Sequence, residues 1–110
     1  MDIIYISFPI SGYDLEERKQ YAIQKEAELI DDFYNQRGVY KHQSFLQVIT
    51  PFVVNKNEKK DSYARKMGND IEALLECDAI YLCEGWQNSK GCMAEFEVAR
   101  IYGKEIMFEK

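Results

Sequence analysis

Residues 77–103, CDAIYLCEGWQNSKGCMAEFEVARIYG, hold the pattern from which the fold can be read. Ala79–Cys83 is a short apolar run of the kind that forms a buried strand. A polar turn comes next, containing Gly85, Asn88, Ser89 and Gly91. From about Gly91 to Tyr102 apolar residues return at three- and four-residue steps, which predicts an amphipathic helix with Gly103 at its C-terminal cap. A strand that ends in such a turn and feeds a helix N-terminus is where open α/β sheets hold their ligands. The unpaired backbone N–H groups of that terminus favour an anion. Glu95, four residues after Gly91, is expected in the first turn or so of the helix, beside the anion site.

The flanking sequence supplies matching units. Residues 2–7, DIIYIS, are β-branched and aromatic and predict a first strand. Pro9 and Gly12 break it, and Asp14 or Ser11 can cap a helix beginning just beyond. Tyr13 to Gln36 has a helical period, with Ala22 or Ile23, Ala27, Ile30 and Phe33 or Tyr34 as the apolar stripe, and Gly38 stands where a C-cap belongs. Phe45–Thr50 predicts a second strand ended by Pro51. His42 lies in the connection before it and reads as a surface residue. The polar run 55–62, NKNEKKDS, is a solvated loop, or a cover over the strand ends. Tyr63 to Glu76 is again helical, with Ala64, Met67, Ile71, Leu74 and Leu75 as one stripe and Asp70 at its edge. Glu72 and Glu76 point away. Glu105–Phe108 completes the set as a last strand.

This β-α-β-α-β-α-β order predicts one α/β domain over residues 1–110, a flavodoxin-like three-layer α/β/α sandwich with a small parallel sheet in the order 2-1-3-4. At 110 residues, 46% hydrophobic and 30% charged, the chain can build one core. Its net charge of −5 argues against a nucleic-acid polymer or an anionic membrane as partner, yet leaves room for a small phosphorylated ligand. No apolar run nears the roughly 20 residues of a membrane span, and the N-terminus lacks the pattern of a signal peptide. Cys77, Cys83 and Cys92 match no metal spacing and fit a reducing, cytoplasmic setting. Neither metal nor cofactor is expected.

If the strands are parallel, the loop after strand one meets the turn after strand three at the point where the chain reverses direction in the sheet. Tyr5 or Ser7, the backbone of Phe8–Gly12, the turn Asn88–Gly91 and Glu95 then converge, with Asp70 entering from the preceding helix. Two carboxylates, an aromatic hydroxyl and an anion-binding turn suit cleavage of a glycosidic bond. One carboxylate meets the anomeric carbon and the other handles the proton of the leaving group. The sequence holds neither a Ser-His-Asp set nor the spacing of a phosphate-binding GxxxxGK[ST] loop. A Glu in a first helical turn also favours the helix dipole, so a purely structural role for Glu95 stays open.

YISFPISG near the N-terminus, the helix holding Asp70 and DAIYLCEGWQNSKGCMAEFEVARIYGKEI together resemble the nucleoside 2-deoxyribosyltransferase superfamily over nearly the whole chain. The similarity extends to its compact bacterial and phage branch and to the 2′-deoxynucleoside 5′-phosphate N-hydrolases. The resemblance implies Glu95 as catalytic nucleophile, Asp70 as its supporting acid and Tyr5 as the hydroxyl that holds the nucleophile. It implies Ser89 as a phosphate contact, and Ser7, Phe8, Ile10, Gly12, Trp86 and Gly91 as further substrate-binding positions. It also implies a homodimer or higher homo-oligomer, with a neighbouring subunit completing each site. Phe8 stands where the family usually has glycine, which either narrows the pocket or fills it. Trp86 can stack a base or pack at an interface.

The sequence is compatible with three functions. The first is an enzyme that cleaves or transfers the N-glycosidic bond of a 2′-deoxynucleoside or its 5′-monophosphate through a glycosyl–Glu95 intermediate. The second is a non-catalytic nucleotide-binding or sensing module of the same fold. The third is an interaction protein in which the turn only caps a helix.

Overall fold

The computed structural model describes residues 2–37, 46–55 and 62–109. Gly38, His42, Phe45 and the run 56–61 lie outside the described residues. Four strands, β1 (Asp2–Ser7), β2 (Leu46–Ile49), β3 (Ala79–Leu82) and β4 (Glu105–Phe108), form one all-parallel sheet in the order β2-β1-β3-β4. Helices α1 (Leu15–Arg37), α2 (Pro51–Val54), α3 (Tyr63–Leu75) and α4 (Lys90–Ile101) connect them. The architecture is the expected flavodoxin-like three-layer α/β/α fold.

The alternation of side chains along β1 decides what each face receives. Ile4 and Ile6 pack with Ala22 and Leu29 of α1, together with Val48 and Ala79. Tyr5 points the other way and packs with Leu74 of α3, Ala99 of α4, and Ile80 and Leu82 of β3. Both faces of the central strands are buried, as a parallel sheet requires. The side chain of Asp78 adds a tie across the sheet by accepting from the Ile3 N–H at 2.8 Å.

The helix ends obey their local sequence. Asp14 caps α1 by accepting from the Glu17 N–H, and Ser62 caps α3 through the Arg65 N–H. Ser89 caps α4 through the Cys92 N–H, and Gly103 leaves that helix with a φ of +71°.

Three expectations need correction. The buried face of α1 runs through Ala22, Leu29 and Phe33, whereas Ile23 and Ala27 are exposed. The middle of that face is held by Lys25, whose stem lies along the protein and whose ammonium pairs with Glu109 and Glu28. A reading by apolar residues alone therefore drifts in phase. On α3 the stripe is Asp70 and Leu74, with Met67 and Ile71 half-buried and Ala64 exposed. Asp70 is thus at the centre of the buried face, not its edge. Finally, Pro51 does more than end β2. It opens the single turn α2, with Thr50 as N-cap accepting from the Val53 N–H at 3.3 Å.

Leu74 is fully buried between α3, α4 and the sheet. Leu74→Ala is expected to cost about 3 kcal/mol through lost burial and a residual cavity. Urea denaturation would show this as a lower midpoint with an unchanged slope.

Candidate active site

β1 is central, and the chain leaves it toward β2 on one side and later returns past it to β3 on the other. The loops after β1 and β3 therefore diverge, and a cleft of about 660 Å³ opens between them. That size suits a small-molecule ligand. Phe8, Ile10, Ser89, Gly91, Asp70 and Glu95 all line it. A second groove of about 700 Å³ lies beside α1 over β3 and β4, rimmed by Glu28, Asp31, Asp32, Asp78 and Glu105. It has neither a long helix N-terminus nor a buried carboxylate pair, so the chemistry points to the first cleft.

Glu95 is 4% exposed and anchored from behind. Tyr5 Oη donates to its Oε2 at 2.8 Å, and Ser7 Oγ donates to its Oε1 at 2.6 Å. Both donors come from one face of β1, two residues apart, because strand side chains repeat every second residue. Glu95 is the sixth residue of α4, at the start of its second turn, just past the first turn or so in which it was expected. A carboxylate there gains little from the helix dipole, whose effect fades within the first turn.

Asp70 stands across from it and is also buried. Burial pushes the Glu95 carboxyl up to about 7, against the opposing pull of Ser7 and Tyr5, and the charge of Asp70 adds to the rise. Burial likewise lifts Asp70 to about 6, while Asn55 and Tyr5 favour its charged form. Tyr5 itself is held well above its ordinary range by burial and by the carboxylates beside it, so it stays a donor. The charge of Asp70 thus makes it harder for Glu95 to ionise beside it.

The rim opposite is the N-terminus of α4. Lys90, at the first helical position, and Gly91, at the second, have backbone N–H groups with no partner inside the helix. Ser89 accepts from the Cys92 N–H, and an accepting hydroxyl still has its own hydrogen to donate. Lys66 and Lys90 also line the cleft, so an acidic chain presents two cations here. A Cβ on Gly91 would meet Tyr63 Oη at 3.4 Å, an ordinary contact.

The remaining expected positions fall outside the lining. Ser7 is fully buried behind Glu95, where it orients the carboxylate. Gly12 is exposed in the loop with a φ of +87°. Trp86 packs on Phe96 and Phe108, with ring centroids 4.9 and 5.8 Å away, stays half-buried, and is not part of the cleft lining. Phe8 is 3% exposed, set between the rings of Tyr21 and Phe52. It forms a wall and does not fill the pocket.

Asn55 escaped the sequence reading, which placed it in a polar loop. It is 6% exposed and bonds Asp70 directly. The Thr50-Pro51 pair, an N-cap followed by an N1 proline, was the signal that a helical turn would carry Asn55 inward. Among the described residues no three His, Cys, Asp or Glu side chains group as a metal site would.

Residues 2–108 match the model of a family described as a domain of unknown function, DUF4406, and the chain belongs to that family. No curated protein matches it.

The raised Glu95 carboxyl has a consequence for stability. The folded state binds this proton more tightly than the unfolded chain, so stability falls as pH rises from about 4.5 to about 7. Glu95→Gln removes the buried charge. It should be more stable than the parent by on the order of 2 kcal/mol at about pH 8, with the gap closing near pH 4.5. Thermal melts of both proteins across that range are the check.

Proposed function

We propose that this DUF4406 chain cleaves the N-glycosidic bond of a 2′-deoxynucleoside or its 5′-monophosphate through a covalent glycosyl–Glu95 intermediate. The observation that carries the reading is the buried Glu95 carboxylate, gripped by Tyr5 and Ser7 and paired with Asp70 at the floor of an open cleft. A carboxylate so buried is costly to keep, which is the signature of a group held for chemistry. The resemblance of YISFPISG and of the 78–106 segment to nucleoside 2-deoxyribosyltransferases supports the same roles.

In the first step a carboxylate oxygen of Glu95 bonds to C1′ as the C1′–N bond breaks. The bonding pair stays on the base nitrogen, which takes the proton of the Asp70 carboxyl. Tyr5 and Ser7 keep the nucleophilic oxygens aimed and lower the energy of the anion that must attack. In the second step Asp70, now a carboxylate, takes a proton from water as its oxygen attacks C1′, and Glu95 leaves as the free carboxylate. The sum is nucleotide plus water giving free base plus 2-deoxyribose 5-phosphate. A second base in place of water makes the same cycle a transfer.

The α4 N-terminus, Ser89, Lys66 and Lys90 supply the phosphate end, which favours the 5′-monophosphate over the free nucleoside. The aromatic wall of Phe8, Phe52 and Tyr63 suits a flat base. The partner is thus a small molecule. The working unit is a homodimer or higher homo-oligomer, and the setting is a reducing cytoplasm, in keeping with three free buried cysteines. No described helix is long and apolar enough to cross a membrane.

Incubation with the four deoxynucleoside 5′-monophosphates should release free base, measured by chromatography. Glu95→Ala should lower the rate by at least about a thousandfold, as loss of a nucleophile does. Equal release by parent and variant overturns the assignment, and saturable binding without release makes the protein a nucleotide-binding module. Because the carboxyl pair must hold one proton, kcat/KM should trace a bell with limbs near pH 6 and pH 7.

A further inference from the structure

Asn55 is the C-cap of α2, and both of its side-chain N–H donors are used. Nδ2 donates both of its hydrogens, one to the Pro51 carbonyl at 3.1 Å and one to Asp70 Oδ1 at 2.7 Å. Its Oδ1 accepts from Asn69 Nδ2 at 3.1 Å. The orientation of the amide is unambiguous, because a flipped group would set its oxygen against two acceptors and its NH₂ against a donor. The Asn55 backbone N–H also bonds the Pro51 carbonyl, so main chain and side chain are tied to the same turn. Both donors are thus committed within the protein. The effect of Asn55 falls on Asp70.

A neutral carboxyl has one carbonyl-type oxygen, which accepts, and one hydroxyl-type oxygen, which carries the proton. An N–H aimed at Oδ1 from 2.7 Å makes Oδ1 the acceptor. We infer that Asn55 is a positioning residue that reserves Oδ2 of Asp70 as the oxygen carrying the transferable proton. This rests on the reading of Asp70 as the acid in glycosidic cleavage. As the C1′–N bond breaks, the Oδ2 proton passes to the base nitrogen, which keeps the C1′–N pair.

The same hydrogen bond favours the ionised form of Asp70 and limits the rise that burial causes. The other groups facing Asp70 are Tyr5 from β1, Glu95 and Cys92 from α4, and Lys66, Lys90 and Tyr63 in the shared cleft. Tyr5 also favours the charged form of Asp70, but it already donates to Glu95 Oε2 at 2.8 Å, whereas Asn55 donates to Oδ1 at 2.7 Å from the one-turn helix after β2.

The test is a titration of Asp70 by its carboxyl ¹³C shift, in a Glu95→Gln background so that one carboxyl of the pair titrates. Asn55→Ala should raise the Asp70 midpoint by about one pH unit, and Asn55→Asp, which keeps the size but adds a like charge, by more. An unchanged midpoint in a variant whose circular dichroism is native overturns the inference and leaves Asn55 as a helix cap only. If Asn55→Ala does not fold, Asn55→Leu, which keeps the size without a donor or a charge, decides by the same criterion. With Glu95 restored, the limb of the kcat/KM profile near pH 6 for a deoxynucleoside monophosphate should move upward with the Asp70 midpoint. A uniform fall in rate with unmoved limbs counts against it. A parent that releases no base at all sinks the glycosidase reading alone, because the carboxyl titration still decides what Asn55 does.

Discussion

The grip of Tyr5 and Ser7 on the two oxygens of Glu95 is the constraint on which the site depends. It joins the central strand to α4 across the interior, between residues 90 and 88 positions apart. A carboxylate in that position is expensive, since burial disfavours its charge and Asp70 repels it. Two short hydrogen bonds offset part of the cost and leave a group whose proton is poised near neutrality. Retaining an acid at the expense of stability is the trade expected of a site kept for chemistry.

The topology explains why this pair of donors meets this acceptor. Parallel strands need crossovers, and the order β2-β1-β3-β4 sends α1 to one face and α3 and α4 to the other. Odd-numbered residues of β1 face α3 and α4, so Tyr5 and Ser7 look toward Glu95 while Ile4 and Ile6 fill the opposite core. One residue of slippage in β1 would put isoleucines against the carboxylate. The divergence of the loops after β1 and β3 then opens the cleft just beyond the strand ends. Fold and site are two results of one strand register.

α2 has an effect out of proportion to its length. A four-residue helical turn after β2 brings Asn55 inward against Asp70 and Phe52 against Phe8. Phe8 is thereby drawn into the aromatic packing on the α1 side, and the volume of the cleft stays open. The same turn orients one carboxyl and keeps an aromatic ring out of its way.

Local chemistry made much of this legible from the sequence alone. The apolar runs 2–7, 79–83 and 105–108, the caps at Asp14, Ser89 and Gly103, and the alternation of strand and helix pointed to a parallel α/β sheet, because periodicity and capping act within a few residues and crossovers follow a fixed hand. The same signals placed Tyr5, Asp70, Ser89 and Glu95 near one another. What they could not decide was the surroundings of each side chain. Lys25 fills an apolar face because Glu109, far along the chain, pairs with it. Asp70 is central to its helix face because Asn55 satisfies it. Trp86 stays out of the cleft lining because Phe96 and Phe108 take its ring. Each outcome hangs on a partner distant in sequence, and whether a polar or aromatic group is buried depends on that partner, so only the tertiary structure could decide it.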